Sequence, residues 1–566
     1  LLLVIFLLWI GGRLATEKQS FNEGIREKLL EFYPMGVSLS PDGSFLLTKT
    51  RGTETFDLHV IEADTGKLVA ETASGVTQLS LSWSPDSSTI AYLQDGGGDR
   101  LFNLHLWRPK ETRLISVPSL ETYTAAPAMR WSPDSNSLLV YVGGADSGSL
   151  SLVGGLRTSE YGTQSLGKVA VNGDFQWRPD GLAIALVRDT ATDTVSIIHA
   201  HEHLSEASIT VAPGAHINSL SWSPHGTSIL AIARRPKDEY YSLFQVDIAT
   251  GTSLQIYAPK DDLSNVTWTP DGEYFVVEEN KQGRIEITLG EIGVHGTRKA
   301  ISTNNESQRI VGLMADGSSL QVKGGAMSDA PIISKLSLTG EKLPIPNQAH
   351  VTAIPPLMVN IPTSEAASVP TIIWPSTKSS IKRAVLFLHG GPHQQELPIL
   401  DGKIGVPLLE GMAVVVPNFR GSTGFGASWE AEDDITHQAD DIYAVVRYMH
   451  ETLRVPLGEI TLLTSSHGMR PGLLVAEKTP ESFRRIVLTS IVSMPMNLCP
   501  LKSFKGEIFG FHGKSDPLVS ASAAKSIFLN CAATNSLRSW RTFSAEGHHI
   551  HGTSSWGGIL QAVVAP

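Results

Sequence analysis

At 566 residues the chain exceeds what one ordinary core holds, so about two to four domains are expected. A hydrophobic content of 41% with 18% charged residues excludes a disordered or collagen-like chain. The net charge of −11 excludes a nucleic-acid binder that relies on a basic surface, and two cysteines, Cys499 and Cys531, exclude a disulfide scaffold.

The chain opens on an apolar run from Leu1 to Ile10 that ends at Gly11-Gly12-Arg13. Ten helical residues span only about 15 Å, short of a bilayer. The run reads as a signal-peptide core or the end of a membrane anchor, and so predicts an exported or membrane-anchored protein, with a cytoplasmic one as the alternative. Residues 1–34 are taken as this segment and its lead-in.

A repeat then fills the first half. Leu39-Ser40-Pro41-Asp42-Gly43 is followed by Trp83-Ser84-Pro85-Asp86, Trp131-Ser132-Pro133-Asp134 and Trp177-Arg178-Pro179-Asp180, then by Trp222-Ser223-Pro224-His225 and Trp268-Thr269-Pro270-Asp271. The prolines lie 44, 48, 46, 45 and 46 residues apart, and a degraded seventh copy stands at Met314-Ala315-Asp316-Gly317. An alternating strand such as Gln78 to Trp83 leads into each turn, and an apolar strand such as Thr89 to Leu93 leaves it. Proline presets the first turn position, and Asp, Ser or Gly suits the positions after it. Hairpins at this period predict four-stranded propeller blades, about seven of them over residues 35–345. The tryptophans are expected to pack between blades. Within this half, His199-Ala200-His201-Glu202-His203 could put three imidazoles on one strand face. No matching ligand cluster follows, so the segment reads as a solvated hairpin and no metal site is expected.

A proline-rich stretch from Leu343 to Pro356 reads as a linker, and the pattern changes after it. In residues 346–566 apolar strands alternate with helical segments: Ala384 to Leu388, Met412 to Val416, Glu459 to Thr464, Arg485 to Ser490 and Glu507 to Phe511, with a helix over Asp440 to Thr452. This predicts a largely parallel sheet covered on both faces, with reactive groups at the carboxyl ends of its strands. His389-Gly390-Gly391-Pro392 follows one strand, where glycines let a backbone N–H face a substrate oxygen. Asn418-Phe419-Arg420-Gly421-Ser422-Thr423-Gly424-Phe425-Gly426 follows another and lacks the Lys-Ser/Thr ending of a phosphate loop. Thr464-Ser465-Ser466-His467-Gly468 sits between a strand and a helix, the place of a nucleophile elbow, but with Thr464 where G-x-S-x-G has its first glycine. His512-Gly513-Lys514-Ser515-Asp516 follows the strand Glu507 to Phe511, and Glu546-Gly547-His548 follows the strand after it, around Trp540 to Phe543. The order Ser466, Asp516, His548 is that of α/β-hydrolase triads.

Taken together, these phrases resemble the prolyl oligopeptidase family, especially its acylaminoacyl-peptidase and dipeptidyl-peptidase-like branches, over nearly everything after residue 35. The resemblance implies a TolB-like β-propeller followed by an α/β-hydrolase domain, and a serine peptidase acting on short peptides. Ser466 would be the nucleophile, His548 the base and Asp516 its orienter, with the backbone N–H groups of Gly391 and His467 as the oxyanion hole. Neither a metal nor an organic cofactor is implied, and the propeller would restrict substrate size. Two departures stand out. The family elbow reads Gly-Gly-Ser-Tyr-Gly-Gly, so Thr464, Ser465, His467 and Met469 differ, and Arg470 adds a charge beside them. The 50 residues from Ser466 to Asp516 are also fewer than the family has. A β-branched Thr464 is expected to crowd the elbow and slow the enzyme. The alternatives are an inactive relative serving as a propeller scaffold, and an esterase using the same triad.

Overall fold

The computed structural model describes residues 38–565, apart from 52–55, 77, 96–101, 112, 117–127, 144–147, 159–160, 170–173, 189–193, 200–205, 304, 346–350, 365–366, 377–379, 495–500, 502, 517, 532–536, 545 and 551–552. The N-terminal apolar run, Cys499, His201 and His203 therefore lie outside the described residues. His199 ends the strand Thr194–His199. Among the described residues no group of three or more His, Cys, Asp or Glu could hold a metal ion. No described helix is long and apolar enough to cross a membrane.

Seven four-stranded antiparallel sheets form a β-propeller, each built from one continuous stretch of chain: 38–76, 78–116, 128–169, 175–209, 216–257, 262–300 and 306–344. The repeated phrase is the turn between the first and second strands of every blade, including the degraded copy between Glu306–Leu313 and Ser319–Ala326. Its chemistry explains its residues. The Ser84 hydroxyl donates to Asp86 Oδ1 (2.6 Å) and accepts from the Thr89 N–H (3.0 Å), while Asp86 Oδ1 also accepts from Ser88 N (3.1 Å). The fourth position is left-handed, with φ of 76° at Gly43, 58° at Ser87 and 73° at Gly272, which glycine adopts freely and serine tolerates in a tight turn.

The tryptophans pack between blades, as expected. Trp131, Trp177, Trp222 and Trp268 each donate their indole N–H to a carbonyl of the preceding blade: Ser82, Arg130, Gln176 and Ser221, at 3.0–3.2 Å. Ring closure uses the same seam. The Ala315 N–H in blade 7 donates to the Pro41 carbonyl in blade 1 (2.9 Å), over a cluster that includes Leu39, Leu46, Met314 and Ile333. Among the described residues no strand is exchanged between the first and last blades.

The second half folds around an eight-stranded sheet: β1 (Leu357–Pro362), β2 (Ser368–Trp374), β3 (Ala384–Leu388), β4 (Ala413–Pro417), β5 (Ile460–Ser465), β6 (Phe483–Thr489), β7 (Glu507–Gly513) and β8 (Leu537–Phe543). Their spatial order is β1-β2-β4-β3-β5-β6-β7-β8, antiparallel for the first three and parallel from β4 onward. One apolar cluster, including Leu386, Ile442 and Leu473, covers one face, and another, including Phe387, Ile404 and Ile559, covers the other. The stretch read as a linker from Leu343 is corrected at its start. Lys342–Pro344 is the last strand of blade 7, because its backbone pairs with Ile332–Ser337. The antiparallel pair β1 and β2 has no counterpart in the sequence reading: prolines punctuate it, and β1 is half exposed.

Candidate active site

Three strand ends bring the reactive groups together. Ser466 follows β5 with φ of 48°, in a turn that passes through a 3-10 segment (Ser466–Gly468) into the helix α1 (Met469–Lys478). That left-handed backbone lifts the side chain off the end of the sheet. Asp516 lies just beyond β7 and His548 beyond β8. The contacts run in series: Ser466 Oγ to His548 Nε2 at 2.9 Å, then His548 Nδ1 to Asp516 Oδ2 at 2.7 Å. An ionised carboxylate only accepts, so His548 Nδ1 carries the proton and Nε2 is left to accept from the Ser466 hydroxyl.

Asp516 is 2% exposed. Burial alone would raise its pKa, but hydrogen bonds from His548 and the Val519 N–H outweigh this and hold it below the usual carboxylate range. Its other oxygen accepts from the N–H groups of Leu518 (2.7 Å) and Val519 (3.0 Å). The carboxylate is thus ionised and fixed.

Thr464 is fully buried beside the helix, and its hydroxyl has no hydrogen-bond partner among the described residues. A Cβ placed at Gly472, on the facing turn of α1, would lie 3.2 Å from Thr464 Cγ2, so the space for the threonine methyl comes from the helix. Gly468 has no such freedom: a Cβ there would press on the carbonyl oxygens of His389 and Leu388. Arg470 turns away, donating from Nε to the Ser493 carbonyl (3.0 Å).

Gly390 and Gly391 meet the nucleophile from β3. A Cβ at Gly390 would sit 3.1 Å from Ser466 Cβ, and Gly391 has φ of 121°, a backbone that a side chain would strain. His467 is the second residue of the 3-10 segment, where a backbone N–H has no partner within the turn. The glycine loop after β4 holds this region in place. Asn418 exchanges two hydrogen bonds with the backbone of Glu396 (2.8 and 3.0 Å), and the Thr423 N–H donates to the Gln394 carbonyl (3.0 Å). The buried imidazoles of His389 and His467 flank Phe419, with ring centroids 4.5 and 6.5 Å away, and burial pushes both pKa values down to about 4.

A cavity of about 280 Å³ opens on the triad, lined among others by Gly390, Gly391, Ser466, His548, Lys403 and Trp556. Lys403 faces Glu396 Oε1 at 3.4 Å, so a charged pair borders the space beside the nucleophile.

The propeller reaches this site through the segment 424–430 and through Gln395. Gly424 and Gly426 leave room for Asn280 and Glu239 of the propeller. Asn280 Nδ2 donates to Gln395 Oε1 (2.7 Å), the Ser428 hydroxyl to Glu239 Oε1 (2.6 Å) and the Gly426 N–H to Asp262 Oδ2 (2.9 Å). Arg234 and Glu430 form an ion pair at 2.8 Å. Nothing in the sequence marked these propeller residues, since single polar side chains on strand ends carry no pattern.

No protein-family model matches the sequence. Solved structures do match the whole fold. A puromycin-hydrolysing peptidase of Mycobacterium tuberculosis superposes with a TM-score of 0.76 at 13% identity, over 95% of this chain and 95% of that one. A structure from a study of two prolyl endopeptidases gives 0.74 at 14% identity, over 96% and 90%. Oligopeptidase B from Leishmania major gives 0.75 at 11% identity, over 98% and 89%. The chain therefore has the fold of the prolyl oligopeptidase family: a seven-bladed propeller joined to an α/β-hydrolase domain.

Proposed function

We propose that this protein is a serine peptidase that hydrolyses short peptides through Ser466, His548 and Asp516. The observation that carries the reading is the hydrogen-bonded series of these three side chains, of which Ser466 and His548 line one cavity. Its fold is shared with peptidases, which points to amide bonds as the substrate. His548 takes the Ser466 proton as the serine oxygen attacks the scissile carbonyl, then returns it to the leaving amine. Asp516 holds the imidazole tautomer and offsets its developing charge. The N–H groups of Gly391 and His467 are assigned to the oxyanion, and water resolves the acyl-enzyme.

Substrate size is assigned to the propeller, whose Asn280 touches the loop that carries the cavity-lining Gln394 and Glu396. We place the chain in the acylaminoacyl-peptidase and dipeptidyl-peptidase-like branch on its His389-Gly390-Gly391-Pro392 and Asn418 to Gly426 phrases. Export is proposed as well. The apolar run Leu1 to Ile10 supports it. Fractionation of expressing cells tests that placement, and a protein found wholly in the cytosol would refute it.

The decisive experiment digests a peptide library with the purified protein and with Ser466→Ala. Cleavage by the parent, falling at least about a thousandfold in the variant, is expected from loss of the nucleophile. Turnover that survives the substitution would move the chemistry away from Ser466.

A further inference from the structure

A second imidazole stands behind the triad. His512, the penultimate residue of β7, is fully buried, and its ring lies 6.2 Å from that of Trp540. Its Nδ1 receives the N–H of Ile491 at 3.1 Å, and a ring nitrogen that accepts carries no proton. The proton of the neutral ring must therefore sit on Nε2. That atom faces the Val519 carbonyl at 2.9 Å and Asp516 Oδ2 at 3.2 Å, two acceptors that can share one N–H. Burial pushes the His512 pKa below its ordinary value, which keeps the ring neutral. Protonation would also set an Nδ1–H against the Ile491 N–H.

Asp516 Oδ2 thus meets two imidazoles, His548 from one side and His512 from the other, while Oδ1 is pinned by backbone. We propose that His512 is a positioning residue for the reaction: its Nε2–H fixes the rotation of the Asp516 carboxylate and takes up part of its charge. The assignment rests on the peptidase reading above. His512 does not line the cavity, so it acts on catalysis only through Asp516 and His548, the two titratable groups that face it. The residues that set its tautomer come from elsewhere. Ile491 lies just past β6, beside Ser490, whose hydroxyl donates to the His548 carbonyl and so ties the base to the same strand end.

Two substitutions separate this role from packing. His512→Asn keeps an acceptor near the Ile491 N–H but cannot reach Asp516. His512→Gln can still present an N–H to Asp516 but gives up the Ile491 contact. Steady-state cleavage of a short peptide is measured from pH 5 to pH 9, with active sites counted by a fluorophosphonate probe so that unfolded material does not contribute. In His512→Asn, kcat should fall about tenfold with KM unchanged. A carboxylate that has lost a donor holds a proton on His548 more strongly, so the acid limb of kcat/KM should move to higher pH. His512→Gln should recover most of the loss and restore the limb. Equal defects in the two variants, or an acid limb that stays in place in His512→Asn, would overturn the assignment. Those outcomes, with Ser466→Ala inactive, leave the peptidase reading intact. Turnover surviving Ser466→Ala would remove the reading and this proposal together.

Discussion

Gly468 and Thr464 stand two residues to either side of the nucleophile, and the structure constrains them in opposite ways. At Gly468 the neighbours are backbone carbonyls of β3 and the residue after it, which cannot yield without moving the loop that carries Gly390 and Gly391. Gly468→Ala should therefore displace the elbow and cut kcat/KM about a hundredfold, the cost expected of a misplaced nucleophile. Thr464 is fully buried, with its methyl set against Gly472. Thr464→Gly should leave turnover unimproved and lower stability by about 1–3 kcal/mol, through lost packing and added backbone freedom. Urea unfolding and single-turnover acylation with an activated ester check both; faster acylation in Thr464→Gly would restore the view that the threonine crowds the site. The sequence shows why the two could not be told apart beforehand. The pattern G-x-S-x-G names positions in one segment, whereas Gly472, which makes room for Thr464, belongs to the next turn of helix. Ser466, Asp516 and His548 were legible because each follows a strand in triad order. His512 stood in view as part of a phrase, but its role depends on Ile491, a contact across strands that spacing does not encode.

At the scale of elements, the stack of His389, Phe419 and His467 joins the ends of β3, β4 and β5, and it titrates. Both imidazoles have folded pKa values near 4, below the value of 6.5 for an unperturbed histidine. Between those limits the unfolded chain binds more protons than the folded one. The stability they confer is complete above about pH 6.5 and is lost as pH falls toward 4, with a slope on the order of 1.4 kcal/mol per pH unit for each ring. Urea midpoints measured between pH 7.5 and pH 4.5 should fall accordingly, and His467→Gln should flatten part of the slope. A midpoint that is level down to pH 5 would show that the rings are hydrated. The propeller offers a parallel test in Trp222. Trp222→Phe keeps most of the inter-blade packing but drops the bond to the Gln176 carbonyl, at a cost of about 1 kcal/mol, whereas Trp222→Ala should cost about 3–5 kcal/mol. The blades were readable in the sequence because one turn chemistry recurs near every 45 residues. The strands β1 and β2 were not, since Pro355, Pro356, Pro362 and Pro370 break the apolar alternation on which such readings rest.

Across the whole molecule, blades 5 and 6 of the propeller dock on the segment 424–430 and on Gln395. The polar contacts include the Arg234–Glu430 ion pair, the Glu239 side chain with Ser428 and its carbonyl with the Ala427 N–H, Asp262 with the Gly426 N–H, and Asn280 with Gln395. Asp262 is also held by the Tyr241 N–H (3.2 Å), so it serves the propeller as well as the docked loop. An interface of this kind can open without unfolding either partner, because water replaces each lost hydrogen bond at small net cost. If the propeller limits substrate size, loosening this seam should change which substrates enter more than it changes the chemistry. The double variant Arg234→Ala, Glu239→Ala removes an ion pair and a side-chain acceptor while leaving the triad and Asn280 untouched. Its kcat/KM for a tetrapeptide should stay within about threefold of the parent, because the groups removed contact neither substrate nor nucleophile. Its kcat/KM for a peptide of about thirty residues should rise about tenfold, as an entry that is transient in the parent becomes populated. The ratio of the two values is the measurement, since it cancels errors in active-site concentration. An unchanged ratio, together with a lower melting temperature, would mean that these contacts only stabilise the assembly and that long peptides are excluded elsewhere. A fall in both rates by the same factor would instead place the seam in the support of the catalytic loop, acting through Gln395 on the segment that carries Gly391.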